Sequence, residues 1–359
     1  RMLPSCGANF GLVQTSRLGP VSDSLPAPSL SPKGHLVVAV CLGFIGTFGF
    51  LSNFLVLALF CRYRALRTPM NLLLVSISAS DLLVSMVGTP FSFAASTQGR
   101  WLIGRAGCVW YGFVNACLGI VSLISLAVLS FERYSTMVKP TVADGRDFRP
   151  ALAGIAFSWL YSVAWTVPPL LGWSEYGPEG PGTTCSVDWK TQTANNISYI
   201  VCLFVFCLVL PFCVILYSYS RLLQAIRQIV GKITIKKLLP QRVLAMVVVM
   251  VACYLVCWLP YGVAALLATF GPRDLLSPEA SITPSLLAKF STVVNPFIYI
   301  FMNKQASGLR PVCLFVTFEP GRHLKLCDDD DEGVLLHLDL CVRVSVCVCV
   351  CVCVCVCVR

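Results

Sequence analysis

Charge is what this sequence has least of. Of its 359 residues only 12% are Asp, Glu, Lys or Arg, where a soluble domain carries about 25%. Together with 57% hydrophobic residues and a mean hydropathy of +0.78, that scarcity excludes an ordinary water-soluble globule and makes lipid the main solvent. Acids are missing altogether from two basic stretches. One is "CRYRALRTP", with Arg62, Arg64 and Arg67; the other, around 221–242, carries Arg221, Arg227, Lys232, Lys236, Lys237 and Arg242. A separate basic domain is missing too, which argues against nucleic acid as a partner and makes the net charge of +10 a topology signal. No signal peptide precedes the first long apolar run, and the opening at Arg1 implies a start further upstream. Cysteine is plentiful at 20, but seven of these lie in the last nineteen residues, so the count says little about redox compartment.

What is present is a set of long apolar runs, at about 36–61, 70–95, 105–131, 151–172, 197–220, 242–270 and 281–302. A bilayer core of about 30 Å takes roughly 20 helical residues to cross. Alternation is too weak for a barrel, so the expected fold is an all-α membrane protein, a bundle of seven transmembrane helices. Basic inner loops put the N-terminus outside and the C-terminus inside. The expected organisation is an outer segment 1–35, the bundle 36–305 and an atypical tail 306–359. Prolines within the spans (Pro90, Pro168, Pro169, Pro211, Pro260, Pro296) predict kinks.

Polar residues inside such runs carry the functional signal. Asp81 lies in the second run, Asn53 in the first, and "NPFIY" (Asn295, Pro296, Tyr299) in the seventh. Glu132–Arg133–Tyr134 ends the third. An ionisable group in a span must face the bundle interior and find partners; static polar glue is the bland alternative. Lys289 is the oddest of them: no acid lies within helical reach along its own segment, and an ammonium at mid-helix costs about 2.5–3.5 kcal/mol.

In order and spacing these residues, with Cys108, Trp159, Pro211 and "CWLP" (Cys257 to Pro260), resemble the rhodopsin-like G-protein-coupled receptors over roughly 36–305. A lysine seven residues before the proline of the NPxxY motif marks the opsins among them, and Lys289 and Pro296 have that spacing. By helical rise Lys289 lies about 12 Å below the outer end, beside Trp258 and Tyr261 of "CWLPYG". Desolvation lowers a lysine's pKa and makes it a nucleophile toward an aldehyde. The resemblance implies retinal as cofactor, 11-cis in the dark and all-trans after light, bound to Lys289 as a Schiff base. It implies a Cys108–Cys185 disulfide. It also implies a counterion: where vertebrate visual pigments have glutamate three residues after the cysteine of the third span, this chain has neutral Tyr111. Glu179, six residues before Cys185, matches the loop acid that serves in many non-visual and invertebrate opsins, so a bistable pigment is expected.

"LLGWSEYGPEGPGTTCSVDW", "CYLVCWLPYGVAALLATFG" and "VVNPFIYIFMNKQ" look like the encephalopsin and teleost multiple-tissue opsin group. That likeness implies a non-enzymatic, non-visual light sensor of the plasma membrane. Its partners would be a heterotrimeric G protein of the Gi/Go class, arrestin and membrane lipid. A retinal photoisomerase is the competing reading, against which the intact Glu132–Arg133–Tyr134 and NPFIY stand. No metal site is expected. "NIS" at Asn196 is a glycosylation sequon abutting the fifth run. Where the family has a glutamate at the foot of the sixth span, this chain has Pro240; a lost dark-state brake and a misjoined segment over 229–241 are both open readings. The tail lacks the family's eighth helix and ends in a strict Cys-Val alternation, as a translated TG repeat would.

Overall fold

The computed structural model describes residues 30–138, 147–230, 238–272 and 275–302. The outer segment before Leu30, the inner-loop residues 231–237, the "DDDDE" run and the Cys-Val tail lie outside the described residues.

The first span is Pro32–Arg62. The second is Pro69–Leu83 and Thr89–Gln98, joined by a π turn over Val84–Gly88. The third is Gly104–Val138, and the fourth is Arg149–Thr166 continued by a 3-10 turn, Pro168–Leu171. The fifth comprises Ala194–Phe204, a π turn Val205–Val209 and Leu210–Val230. The sixth is Leu238–Phe270 and the seventh Pro278–Met302. Six of these are long and apolar enough to cross a membrane by length and composition, and the seventh has 25 residues, about 37 Å of helix.

Local chemistry explains the starts. Ser31, Thr68 and Thr193 each cap a helix by accepting from the backbone N–H three residues on, and Pro32 and Pro69 occupy the first turn, where no N–H is needed. Two predicted kinks take a more specific form. A proline ring clashes with the carbonyl four residues back. For Pro90 and Pro211 those carbonyls belong to Met86 and Cys207, and each lies inside a π turn, whose wider winding makes room. The fourth run, expected to be helical to 172, stops as α-helix at Thr166, because Pro168 and Pro169 open the tighter 3-10 turn.

One element departs from the all-α expectation. Between the fourth and fifth spans a two-stranded antiparallel hairpin forms, β1 (Tyr176–Glu179) with β2 (Thr184–Val187), pairing Pro178 with Cys185 and Glu179 with Thr184. The Cys108–Cys185 disulfide, Cα to Cα 5.5 Å, fastens it to the outer end of the third span. Below it the core, with Val56, Leu73, Leu126, Ile215, Met250 and Tyr254, joins six of the seven spans.

Candidate functional site

A cavity opens inside the bundle beneath the hairpin. Glu179 and Trp189 close its outer end, Lys289 and Ala288 line it from the seventh span, Trp258 and Tyr261 from the sixth, and it reaches inward as far as Asp81. Phe204, Leu203 and Leu208 make its fifth-span wall apolar.

Lys289 projects into this cavity. Its Nζ donates to the Tyr111 hydroxyl at 3.0 Å and lies 5.4 Å from the centre of the Tyr111 ring. Its carbonyl accepts from Thr292 Oγ1 at 2.9 Å. It has no ion pair: the single one among the described residues is Arg105–Glu175, 3.7 Å apart on the outer surface. Tyr111 is fully buried, and its hydroxyl is a junction that also meets Ser92 and, at 3.2 Å, Thr184 of β2. The sequence identified Tyr111 as a neutral substitute for an acid; the structure makes it the hydrogen-bond partner of the lysine.

Glu179 sits at the end of β1, half-buried, with Tyr261, Ser186 and Trp189 as hydrogen-bonding neighbours and the Lys289 charge nearby. Burial pushes its carboxyl above the usual carboxylate range, and those hydrogen bonds and the lysine offset only part of that. Trp189, which sequence reasoning passed over, is the connecting piece. Its indole N–H is shared between Ser186 Oγ at 3.1 Å and the Tyr261 hydroxyl at 3.2 Å, and its ring meets Tyr261 edge-on. The signal lay in "CSVDW", where the indole stands four residues beyond the disulfide cysteine.

The lower wall is aromatic. Trp258 stacks on Tyr254 with centroids 5.5 Å apart, stands edge-on to Tyr261, and donates its indole N–H to Ser291 of the seventh span at 3.0 Å. Gly119 of the third span lets that indole approach, since a Cβ there would lie 2.8 Å from Trp258 Cη2.

Deeper, the expected polar residues are brought together. Asp81 accepts from Ser122 Oγ and Asn295 Nδ2, each at 3.0 Å, linking the second, third and seventh spans. Asn53 Nδ2 donates to the carbonyls of Gly49 and Thr292, both at 2.8 Å, tying the first span to the seventh. Pro296 and Tyr299 follow in the seventh span, and Tyr299 is buried in the core. Trp159 in the fourth span donates to Ser76 in the second at 3.0 Å. Glu132, Arg133 and Tyr134 end the third span; Arg133 has no ion pair among the described residues, and Tyr134 packs edge-on against Tyr217 of the fifth. Pro240 falls in the first turn of the sixth span.

Asn196, the sequon residue, is engaged by its own loop. It is 3% exposed, its Nδ2 donates to the carbonyls of Asp188 and Thr191, both at 2.7 Å, and its Oδ1 accepts from Ser174 Oγ. A glycan on Nδ2 would replace one of its two N–H groups, so one of these donor bonds would be lost and the buried site would have to open.

Residues 52–299 match the family described as "7 transmembrane receptor (rhodopsin family)". Pinopsin of Columba livia is 41% identical over 313 residues, covering 86% of this chain and 88% of the relative. Opsin-3 of Mus musculus is 39% identical over 293 residues, covering 80% and 72%. Among solved structures, the crystal structure of squid rhodopsin superposes with a TM-score of 0.74 at 27% identity, covering 86% of this chain and 91% of that one. With a lysine at the heart of its cavity, a matching family over most of its length and opsin relatives covering most of the chain, this protein belongs to the opsins of the rhodopsin family of seven-transmembrane receptors.

Proposed function

We propose that this opsin is a non-visual light receptor of the plasma membrane that carries retinal on Lys289. The observation behind this reading is the placement of Lys289 Nζ inside a mainly apolar, aromatic-walled cavity, hydrogen-bonded to a tyrosine and without an ion-pair partner among the described residues. A lysine so placed is costly as a purely structural group, and a desolvated amine is a competent nucleophile toward an aldehyde. The residues present fit the ligand: an apolar wall from the fifth span, an indole at the far side admitted by Gly119, and a carboxylate at the outer end. Retinal, held by Lys289 as a Schiff base with its carbonyl oxygen lost as water, would supply light absorption and a change of shape from 11-cis in the dark to all-trans.

The protein's own parts do the rest. Lys289 holds the positive charge in place, and Glu179 balances it from the loop, since a buried cation needs an anion. Tyr111 offers Lys289 a hydroxyl where a carboxylate would be the ready proton acceptor, so the proton remains on Lys289 Nζ after light and the receptor is bistable. Trp258, pressed from the cavity, transmits the change to the sixth span, which pivots near Pro260. The inner ends of the third and seventh spans, with Arg133 and Tyr299, then line a cleft for a heterotrimeric G protein of the Gi/Go class, with arrestin as a later partner. This is a two-state element biased by its ligand. The wording of the outer loop around Cys185, of the sixth span around "CWLPYG" and of the seventh around "NPFIY" supports membership of the encephalopsin and multiple-tissue opsin group. Replacing Lys289 with Ala and supplying 11-cis-retinal tests the core of the proposal. No visible pigment should form; a visible band from the variant would overturn it.

A further inference from the structure

The cavity that holds Lys289 has a neighbour. A second cavity, of about 570 Å³, opens on the outer side between the hairpin, the loop after it and the outer ends of the sixth and seventh spans. The two share a wall made by Glu179, Val187, Trp189 and Tyr261. Neither chromophore attachment nor the switch at the inner ends uses the outer one. Its size suits one small molecule. Hydrogen bonds fix its roof: Thr269 Oγ1 donates to the Trp189 carbonyl at 3.1 Å, and Gln192 Nε2 donates to the carbonyls of Thr269 and Gly271 at 3.2 and 3.3 Å. The space is therefore built into the fold and needs no opening of the bundle.

Its lining is divided by chemistry. Ala264, Ala265 and Ala268 of the sixth span, with Leu275 and Leu276 beyond it, make an apolar floor. The facing wall carries two carboxylates, Glu179 and Asp188, and neither has an ion pair among the described residues. Lys190, exposed at the rim, is the one base among the described residues that line the cavity, so acids outnumber it. Both acids already have hydrogen-bond donors. Tyr261, Ser186 and Trp189 serve Glu179, and Asp188 Oδ1 accepts from the backbone N–H groups of Lys190 and Thr191 at 2.9 and 3.2 Å. What this side of the wall lacks is a positive charge. A cation without N–H groups, lying against aromatic rings and close to carboxylates, answers that lack.

We propose that the outer cavity binds a small quaternary ammonium compound with an apolar arm, and that this ligand tunes the receptor through Glu179. The charged head lies against Glu179, Asp188, Trp189 and Tyr261, and the arm rests on the alanine floor. The tuning, though not the binding, rests on Lys289 carrying retinal with Glu179 as its counterion. Glu179 lines both cavities. A second positive charge on its outer side offsets part of the field that holds positive charge at Lys289 Nζ in the ground state, so absorption moves to longer wavelength. By linkage, the ligand and the proton on that nitrogen oppose each other.

The probe is radiolabelled benzyltrimethylammonium, whose charge does not depend on pH and which, unlike a primary amine, cannot condense with an aldehyde. Equilibrium binding is measured on the full chain without retinal, in phosphatidylcholine nanodiscs, which carry no net charge. Saturable binding is expected, and Glu179→Gln should weaken it about tenfold, the loss of one favourable charge contact. Ala264→Phe and Ala268→Phe fill the floor without altering a carboxylate, and each should abolish binding; where one fails to fold, the other decides. In the protein loaded with 11-cis-retinal, the probe should move the visible maximum to longer wavelength, and the floor variants should remove that shift. Absence of saturable binding to the wild type overturns the proposal, as does binding indifferent to Glu179→Gln or to both floor variants. Binding without a spectral shift overturns the tuning. A visible pigment from Lys289→Ala would overturn the chromophore reading instead and leave the binding result standing.

Discussion

Lys289 and Tyr111, 178 positions apart in the chain, meet across the bundle through a 3.0 Å hydrogen bond. The seventh span thus binds to the third at the point where an acid would have given an ion pair. A hydroxyl there leaves Lys289 without an ion-pair partner among the described residues, and on the proposed function the light absorption of the loaded receptor turns on that arrangement.

Tyr111→Phe deletes the hydroxyl that Lys289, Ser92 and Thr184 share. With Glu179 as the proposed counterion, visible absorption should survive with a shifted maximum. The lost bonds at a buried junction should cost about 1–3 kcal/mol. Spectra and the rate of thermal decay in the dark measure both effects; a band displaced to the ultraviolet would show that Tyr111 had carried the charge balance.

Glu179 has a second signature, in the protein without ligand. Its folded-state pKa lies above the unfolded value because burial disfavours the anion. The protonated side chain is therefore the one that suits the fold, and its stabilising contribution is complete below the unfolded value. As pH rises through the raised folded value, that contribution is lost. The apoprotein's melting temperature should fall across that window. Glu179→Gln should flatten the decline, and loading with retinal, whose proposed linkage at Lys289 is cationic, should suppress it. In the loaded protein Glu179→Gln should shift absorption toward the ultraviolet at neutral pH.

Gly119→Ala should disturb the sixth span directly. The added methyl would contact Trp258 Cη2 at 2.8 Å, closer than carbon atoms pack, so the indole or the third span must move. The expected outcome is a destabilisation of about 1–3 kcal/mol together with altered G-protein activation in darkness. Nucleotide exchange before and after illumination reads it, and unchanged dark activity would separate Trp258 from the switch.

Asn196→Gln should weaken the outer loop. The longer amide cannot keep the Asp188 and Thr191 carbonyls and the Ser174 hydroxyl together, and a loss of about 2–4 kcal/mol is expected for a buried network of this kind. Glycosidase treatment of the wild type should produce no mass change at this residue, as peptide mass spectrometry can establish.

Most of the architecture was legible in the sequence, because lipid permits few solutions: a long apolar run must be a helix, and loop charge fixes its direction. Lys289 and the polar set around Asp81 were legible for the same reason, since each is costly in its span. What escaped was geometry that depends on contacts between segments. Pro90 and Pro211 announced kinks, but whether a helix bends or widens into a π turn depends on how neighbouring spans receive the carbonyl of Met86 or Cys207. Asn196 carried a sequon, and only the folded loop shows that its amide is already committed. Trp189 lay in plain view as an indole beside the anchored loop. Its significance comes from Tyr261, which is remote in sequence.

The hairpin has a mechanical consequence. Because Cys185 of β2 is covalently bound to Cys108, the carboxylate on the paired strand travels with the third span, whereas the amine travels with the seventh. On the proposed assignment of Glu179 as counterion, any sliding of those two helices past each other would stretch or shorten the gap between opposite charges and so perform electrical work. The colour of the loaded receptor would then double as a gauge of its helix positions.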